Sequence, residues 1–268
     1  MRHTSLHLAT IALAAAALAC DSSGGSQAQG GDPGSDPGVP SVALHDGFDA
    51  FDPSVWSMAH WANGSPFNCG FLADHVTFSD GAMTLRLDDV ASAGKPYSGG
   101  EYRTNDTFGY GRFEARMRAA RGSGIVSSFF VYTGSPWDEV DVEVLGKNTT
   151  QVQFNYFSGG IGGHEHVVDL GFDAAEDFHT YAFDWSPGAI RWYVDGKLEH
   201  TVTGGGLPTH RAQIMMNLWN GIGVDNWLGP FGYSGPVQAS YDEVTYTPAS
   251  SGAAAEASPA GLAEPLAR

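Results

Sequence analysis

Trp137-Asp138-Glu139-Val140-Asp141-Val142-Glu143-Val144-Leu145 decides how this chain folds. Acid and valine alternate without a break. Side chains on an extended strand point to opposite faces in turn, so Glu139, Asp141 and Glu143 share one face and Val140, Val142 and Val144 the other. The valine face is a core face. The acid face lines up three carboxylates, and like charges side by side repel. A solvated acidic edge strand would tolerate such a row. So would a site that uses it, since two carboxylates flanking a bond are the equipment for hydrolysing a glycosidic linkage.

Working outward, strand signals recur at 75–79, 82–88, 111–119, 126–132, 138–145, 150–157, 165–170, 179–185, 189–194, 197–202, 211–218 and 237–246, separated by Gly, Asn, Asp or Pro. In the 111–118 run, Arg112, Glu114, Arg116 and Arg118 oppose Phe113, Ala115 and Met117, the pattern of a half-buried strand. Val194-Asp195-Gly196-Lys197 predicts a tight hairpin. No stretch has the period of a long amphipathic helix. Many strands without helices predict an all-β fold, an antiparallel sandwich.

The chain has 268 residues and a formal net charge of −17, from 30 acids against 13 bases. No basic stripe is available for phosphates, which excludes nucleic acid as a partner and favours a neutral polymer. Residues 1–19 read as a signal peptide with a short apolar run at 5–19, too short to span a bilayer comfortably. Ala17-Leu18-Ala19-Cys20 resembles a bacterial lipobox, which implies a lipid anchor on Cys20. Ordinary secretion with cleavage near Ala19 is the alternative. Residues 20–41, rich in Gly, Ser, Asp and Pro, read as a flexible lipoprotein-type linker, and 249–268 as a disordered tail. The folded domain is expected at 42–248. The expected location is therefore the cell surface or periplasm, or the medium, with membrane contact only through the anchor. Cys69 is then alone in the mature domain and has no intramolecular partner.

The spacing of the acid row allows a reaction. Glu139 and Glu143 lie four residues apart, roughly 13 Å between Cα atoms at about 3.3 Å per residue. Two glutamates leaning inward can close this to the ~5–5.5 Å of a retaining pair. Asp141 between them can hydrogen-bond a neighbour and hold the glutamates in different protonation states. His164-Glu165-His166 lacks the spacing of a zinc-binding His-Glu-x-x-His, so these histidines are expected to be structural.

Trp137-Asp138-Glu139-Val140-Asp141-Val142-Glu143 resembles the active-site signature of glycoside hydrolase family 16, and the likeness to its bacterial lichenases (endo-β-1,3-1,4-glucanases) runs from 48 to 247. It is carried by Glu101-Tyr102-Arg103, by 124–130 (GIVSSFF), 152–156 (VQFNY), 162–165 (GGHE) and 178–185 (FHTYAFDW), and by 214–221 (IMMNLWNG). The resemblance implies a jelly-roll sandwich of concanavalin A-like type with an open substrate cleft. It implies Glu139 as nucleophile, Glu143 as general acid/base and Asp141 as the assisting carboxylate, with no cofactor needed for catalysis. The unbroken Glu-x-Asp-x-Glu spacing is that of lichenases and xyloglucan-active members; laminarinase-type members carry an extra residue.

The same resemblance carries polar sugar-binding roles to Asn63, Glu101, Arg103, Asn155 and Asn217, and stacking roles to Phe130, Tyr132, Trp137 and Trp219. Phe157 stands where lichenases have Tyr, and the loop from Tyr132 to Trp137 is shortened. A structural calcium is implied at Gly47, Gly81 and Asp242, though Asp242 could equally cap a strand end. The lichenase disulfide partner of Cys69, near Gly99, is missing. The implied function is retaining endo-hydrolysis of mixed-linkage β-1,3-1,4-glucans, such as lichenan and cereal β-glucan, by a monomer. Action on β-1,3-glucan or xyloglucan, or glucan binding without cleavage on the same sandwich, remain the alternatives.

Overall fold

The computed structural model describes residues 42–249. The expected signal peptide, lipid anchor on Cys20 and linker, up to residue 41, and the expected tail from residue 250 lie outside the described residues. Ala249, expected to open the tail, still donates its backbone N–H to Tyr110 O.

Sixteen strands follow in chain order among the described residues: β1 (Leu44–Asp46), β2 (Trp56–Met58), β3 (Cys69–Phe71), β4 (Val76–Ser79), β5 (Ala82–Leu87), β6 (Tyr97–Thr104), β7 (Gly111–Arg118) and β8 (Ile125–Tyr132). Then come β9 (Glu139–Leu145), β10 (Gln151–Phe157), β11 (His166–Asp169), β12 (His179–Ser186), β13 (Ala189–Val194), β14 (Lys197–Thr203), β15 (Gln213–Asn220) and β16 (Val237–Pro248). The only α-helix among the described residues is the single turn α1, Asp225–Leu228. One sheet runs β14-β13-β12-β7-β16-β5-β4 with β1 on β16; the other runs β11-β10-β9-β8-β15-β6-β2 with β3 on β6. The expected antiparallel sandwich is what forms. The one parallel pairing among the described residues joins β3 to β6.

The acid strand β9 lies in the interior of its sheet, between β8 and β10. This removes the solvated-edge explanation for the carboxylate row. Val140, Val142 and Val144 are fully buried in the core between the sheets. Two side chains tie the sheets together across that core. Trp192 Nε1 on β13 donates to Asp141 O at 3.0 Å, and Tyr241 Oη on β16 donates to Ser128 O at 2.9 Å. Each also buries a large ring, worth roughly 1.5–3 kcal/mol. The floor beneath the acids is thus held from the opposite sheet.

Four strands escaped the sequence pattern: β1, β2, β3 and β6. β6 is the instructive one. Its Tyr97-Ser98-Gly99-Gly100 start has no alternation, because the neighbours approach too closely for side chains. A Cβ on Gly99 would lie 2.3 Å from Leu218 O, and one on Gly100 2.8 Å from His75 O. Elsewhere the edges moved slightly: β15 begins and ends two residues later than expected, which brings Trp219 into the strand. The predicted hairpin forms with Val194 opposite Lys197, and Asp195 and Gly196 take positive φ, 48° and 77°.

Cys69 is a free, fully buried thiol whose ionisation burial pushes up to about 12. It acts as a small apolar side chain. Its Sγ lies 3.2 Å from where a Gly99 Cβ would stand, so the partner position implied by the resemblance is adjacent and empty of sulfur.

Candidate active site

The register of the sheet that contains β9 arranges the site in rungs that cross several strands. One rung runs Arg103-Met215-Phe130-Asp141-Asn155, the next Glu101-Asn217-Ser128-Glu143-Gln153, and a third sets Tyr132 beside Glu139 and Phe157. Alternation on each strand turns all of these toward the same face. Above them opens a cleft of about 360 Å³. It is lined by Asn63, Glu101, Arg103, Phe130, Tyr132, Trp137, Glu139, Asp141, Glu143, Asn217 and Trp219, eleven of the twelve expected catalytic and sugar-binding residues. Asn155 does not line it directly. It sits beside Asp141 in register, buried, with its Oδ1 unpartnered.

Burial dominates the electrostatics. It raises Glu139 to about 7 against an opposing hydrogen bond from Trp137 Nε1, which donates to Glu139 Oε2 at 2.5 Å. Glu143 rises further, to about 8, through burial first, then repulsion from Glu139 and Glu165, with the Gln153 hydrogen bond opposing. For Asp141, burial and the charges of both glutamates hold it well above the ordinary carboxylate range, which favours its protonated form, and it hydrogen-bonds Glu139. Its Oδ2 has no partner. A neutral Asp141 donating to Glu139 favours the ionised form of that neighbour. Both glutamates are therefore held above the ordinary carboxylate range, and the hydrogen bonds from Trp137 and Asp141 favour the ionised form of Glu139. Glu101, fully enclosed, is raised to about 7 by burial and accepts from Asn217 Nδ2 at 3.2 Å.

Rings supply the walls. Trp137 stacks on Phe157 with centroids 4.6 Å apart, and Phe67 lies 4.2 Å from Trp219. Arg103 lies over the Trp61 ring at 4.4 Å. Phe157, lacking a hydroxyl, thus backs Trp137 with its face.

Several contributors were not singled out from sequence. Ser128 and Gln153 share faces with Phe130 and Asn155 by simple alternation, so that signal was present. Trp61, Phe67 and Met215 come from segments whose pattern does not reveal a cleft. Asp138 points away from the acid face. It accepts from Gly159 N, Thr209 N, and His210 N and Nδ1, tying two distant segments to the start of β9. His164 stacks on Tyr156 and His166 on His200, each at 3.8 Å, so the two rings of that triplet diverge.

Of the expected cation ligands, Asp242 sits at a register shift in β16 between Tyr241 and Glu243. Met83 lies opposite Tyr241, placing Gly81 near one side, and Asp46 lies opposite Val244, placing Gly47 near the other. Asp242 Oδ2 pairs with Arg116, while its Oδ1 is buried without a partner. An orphaned carboxylate oxygen between two strand-end glycines is an oxygen-only donor set, which fits a hard cation. No cluster of three His, Cys, Asp or Glu side chains suited to a metal occurs among the described residues, so backbone carbonyls would have to contribute.

Comparison with known proteins gives a consistent result. The family model for Glycosyl hydrolases family 16 matches residues 63–241. A beta-glucanase of Acetivibrio thermocellus is 54% identical over 214 residues, 78% of this chain and 63% of that protein. One from Paenibacillus polymyxa is 51% identical over 203 residues, 74% of this chain and 84% of that protein. The chain thus spans under two thirds of the first relative's length. The crystal structure of a β-1,3-1,4-glucanase (lichenase) from a mouse hindgut metagenome superposes with a TM-score of 0.75 at 48% identity, covering 78% of this chain and all of that one.

Proposed function

Because this chain belongs to glycosyl hydrolase family 16, we propose that it is a retaining endo-hydrolase of mixed-linkage β-1,3-1,4-glucans. The observation that carries the chemistry is the interior strand β9, which presents Glu139, Asp141 and Glu143 together on the floor of an open cleft. In the first step Glu139 attacks the anomeric carbon as the glycosidic C–O bond breaks, and Glu143 gives its proton to the departing oxygen. In the second, Glu143 takes a proton from water, whose oxygen attacks the same carbon and releases Glu139. Two displacements return the sugar with its configuration retained. The Trp137 and Asp141 hydrogen bonds to Glu139 support these roles, since the nucleophile must be ionised while the acid is still protonated. Asp141 supplies the proton that steadies Glu139. Glu101, Arg103, Asn63 and Asn217 orient sugar hydroxyls, Asn155 stands behind them beside Asp141, and Trp137, Tyr132, Phe130 and Trp219 offer faces to the rings.

The specificity rests on the names of the relatives and on the unbroken acid spacing. Reducing-sugar release from barley β-glucan, lichenan, laminarin and carboxymethylcellulose tests it. Cleavage of the two mixed-linkage glucans alone is expected. Activity on laminarin would discard the specificity and keep the mechanism, and binding without cleavage would discard both.

A structural calcium on Asp242 and the Gly47 and Gly81 carbonyls is part of the proposal, supported by the orphaned Asp242 Oδ1. At calcium about 100 times its Kd, binding adds ~2.7 kcal/mol, or roughly 5–10 °C in Tm. Chelation should lower the wild-type Tm by that amount and leave Asp242→Ala unmoved. An identical chelator response in both proteins would exclude Asp242 as a ligand. We also propose export and anchoring as a monomer through Cys20, supported by the 5–20 sequence. Release of Cys20→Ala from membranes tests this, and unchanged partitioning would refute it.

A further inference from the structure

The polar rung through Glu143 continues past it. Gln153 Nε2 donates to Glu143 Oε2 at 2.7 Å, and Gln153 Oε1 accepts from Trp227 Nε1 at 3.1 Å. Gln153 is buried, and its β-sheet neighbours are Glu143 on one side and Val167 on the other. An amide has one accepting and one donating end, whereas an indole N–H only donates. Trp227 therefore decides which way the amide faces: Oε1 toward the indole, NH₂ toward the carboxyl. Trp227 is itself anchored. It lies in α1, its backbone N–H bonds Val224 O, and its ring sits 5.9 Å from that of Trp219.

We propose that Trp227 and Gln153 form a positioning pair that fixes which oxygen of Glu143 carries the transferable proton. Oε2 is committed as an acceptor, so the proton of the acid form resides on Oε1, and the carboxyl cannot turn to present the wrong edge to the glycosidic oxygen. This rests on Glu143 being the acid/base. Neither residue needs to touch the bond that breaks.

The pair also opposes the rest of the site. Glu139 and Asp141 on β9 and Glu165 ahead of β11 all bear on the Glu143 side chain, and Ser128 on β8 faces it as a neutral group. Burial and the neighbouring acids favour neutral Glu143. The Gln153 N–H favours the carboxylate, which is the form left after proton donation. Without it the acid would hold its proton to higher pH.

The test compares leaving groups. A 2,4-dinitrophenyl β-glucan oligosaccharide loses a phenolate that needs no proton, while barley β-glucan loses a sugar alkoxide that does. In Gln153→Met, kcat/KM on barley β-glucan should fall roughly 10- to 100-fold, part of the ~10²–10⁴ that a general acid supplies, with less than about threefold loss on the dinitrophenyl substrate. The basic limb of the kcat/KM–pH profile should move to higher pH. Trp227→Phe keeps an aromatic ring and loses the donor, so it should show the same pattern in weaker form, and it carries the test if Gln153→Met does not fold. Equal losses on both substrates, or an unmoved basic limb, would overturn the proposal. Glu143→Ala, run on the same two substrates, checks the premise separately. If it too loses both equally, the acid/base assignment fails and the positioning pair falls with it.

Discussion

Glu139→Ala is expected to lower kcat on mixed-linkage β-glucan by at least ~10⁴-fold with the fold intact, the scale on which removal of an activated nucleophile acts. The side chain faces the cleft and contributes nothing to the valine face beneath it. What it loses are the Trp137 and Asp141 hydrogen bonds, both within the site. The strand itself is held by ladders to β8 and β10 on both sides. Glu143→Ala should cost ~10²–10⁴-fold, the range of general acid–base catalysis. The two variants should then part company with azide. In Glu139→Ala the anion can occupy the vacated space, attack the anomeric carbon and displace the leaving oxygen as Glu143 protonates it. One displacement gives a glycosyl azide of inverted configuration. Near-wild-type turnover in Glu139→Ala, with circular dichroism unchanged, would refute the assignment outright.

Glu143→Gln should raise thermal stability, and the gain should grow with pH. Glu143 titrates at about 8 when folded against an ordinary 4.5, because it is enclosed beside other acids. A carboxyl raised on folding contributes stability that is fully present below its unfolded pKa and lost as pH rises through the folded one. The wild-type Tm should therefore decline between about pH 5 and pH 9. The amide variant keeps the shape, carries no charge, and relieves Glu139 and Asp141 of a repulsive neighbour. Each pH unit separating folded from unfolded titration is worth about 1.4 kcal/mol, so the difference at pH 9 is on the order of 5 kcal/mol, or roughly 10–20 °C for a domain of this size. Calorimetry at pH 5, 7 and 9 measures it. A difference that does not change with pH would mean the acid row is not strained as its burial implies. The variant would also be nearly inactive, so the site holds its charges together at the expense of stability.

Much of the molecule was legible in its sequence for one physical reason: strands impose a period of two, and this chain respects it wherever one face meets the core and the other meets solvent or sugar. Alternation alone puts Glu139, Asp141 and Glu143 on one face and Val140, Val142 and Val144 on the other. The Asp195-Gly196 turn was equally plain, since few residues accept positive φ twice in a row. Eleven of the twelve residues expected from the resemblance line the cleft, because a register inherited with the family carries side-chain positions along with it.

What the period could not express was decided by contacts between distant segments. β6 has no alternation because backbones from β15 and the 72–75 turn press against Gly99 and Gly100. Burial of the acid row depends on β9 having strands on both sides, which is a property of sheet order and not of β9. The raised pKa values follow from that burial. Trp227, 84 residues beyond Glu143 in the chain, reaches it only through Gln153 once the sheet and α1 have come together. Sequence alone thus determined the faces and turns of this protein and most of the residues that line its cleft. Tertiary structure decided how far its charges are removed from water and which partners hold them, because desolvation and hydrogen bonding depend on neighbours that no local pattern specifies.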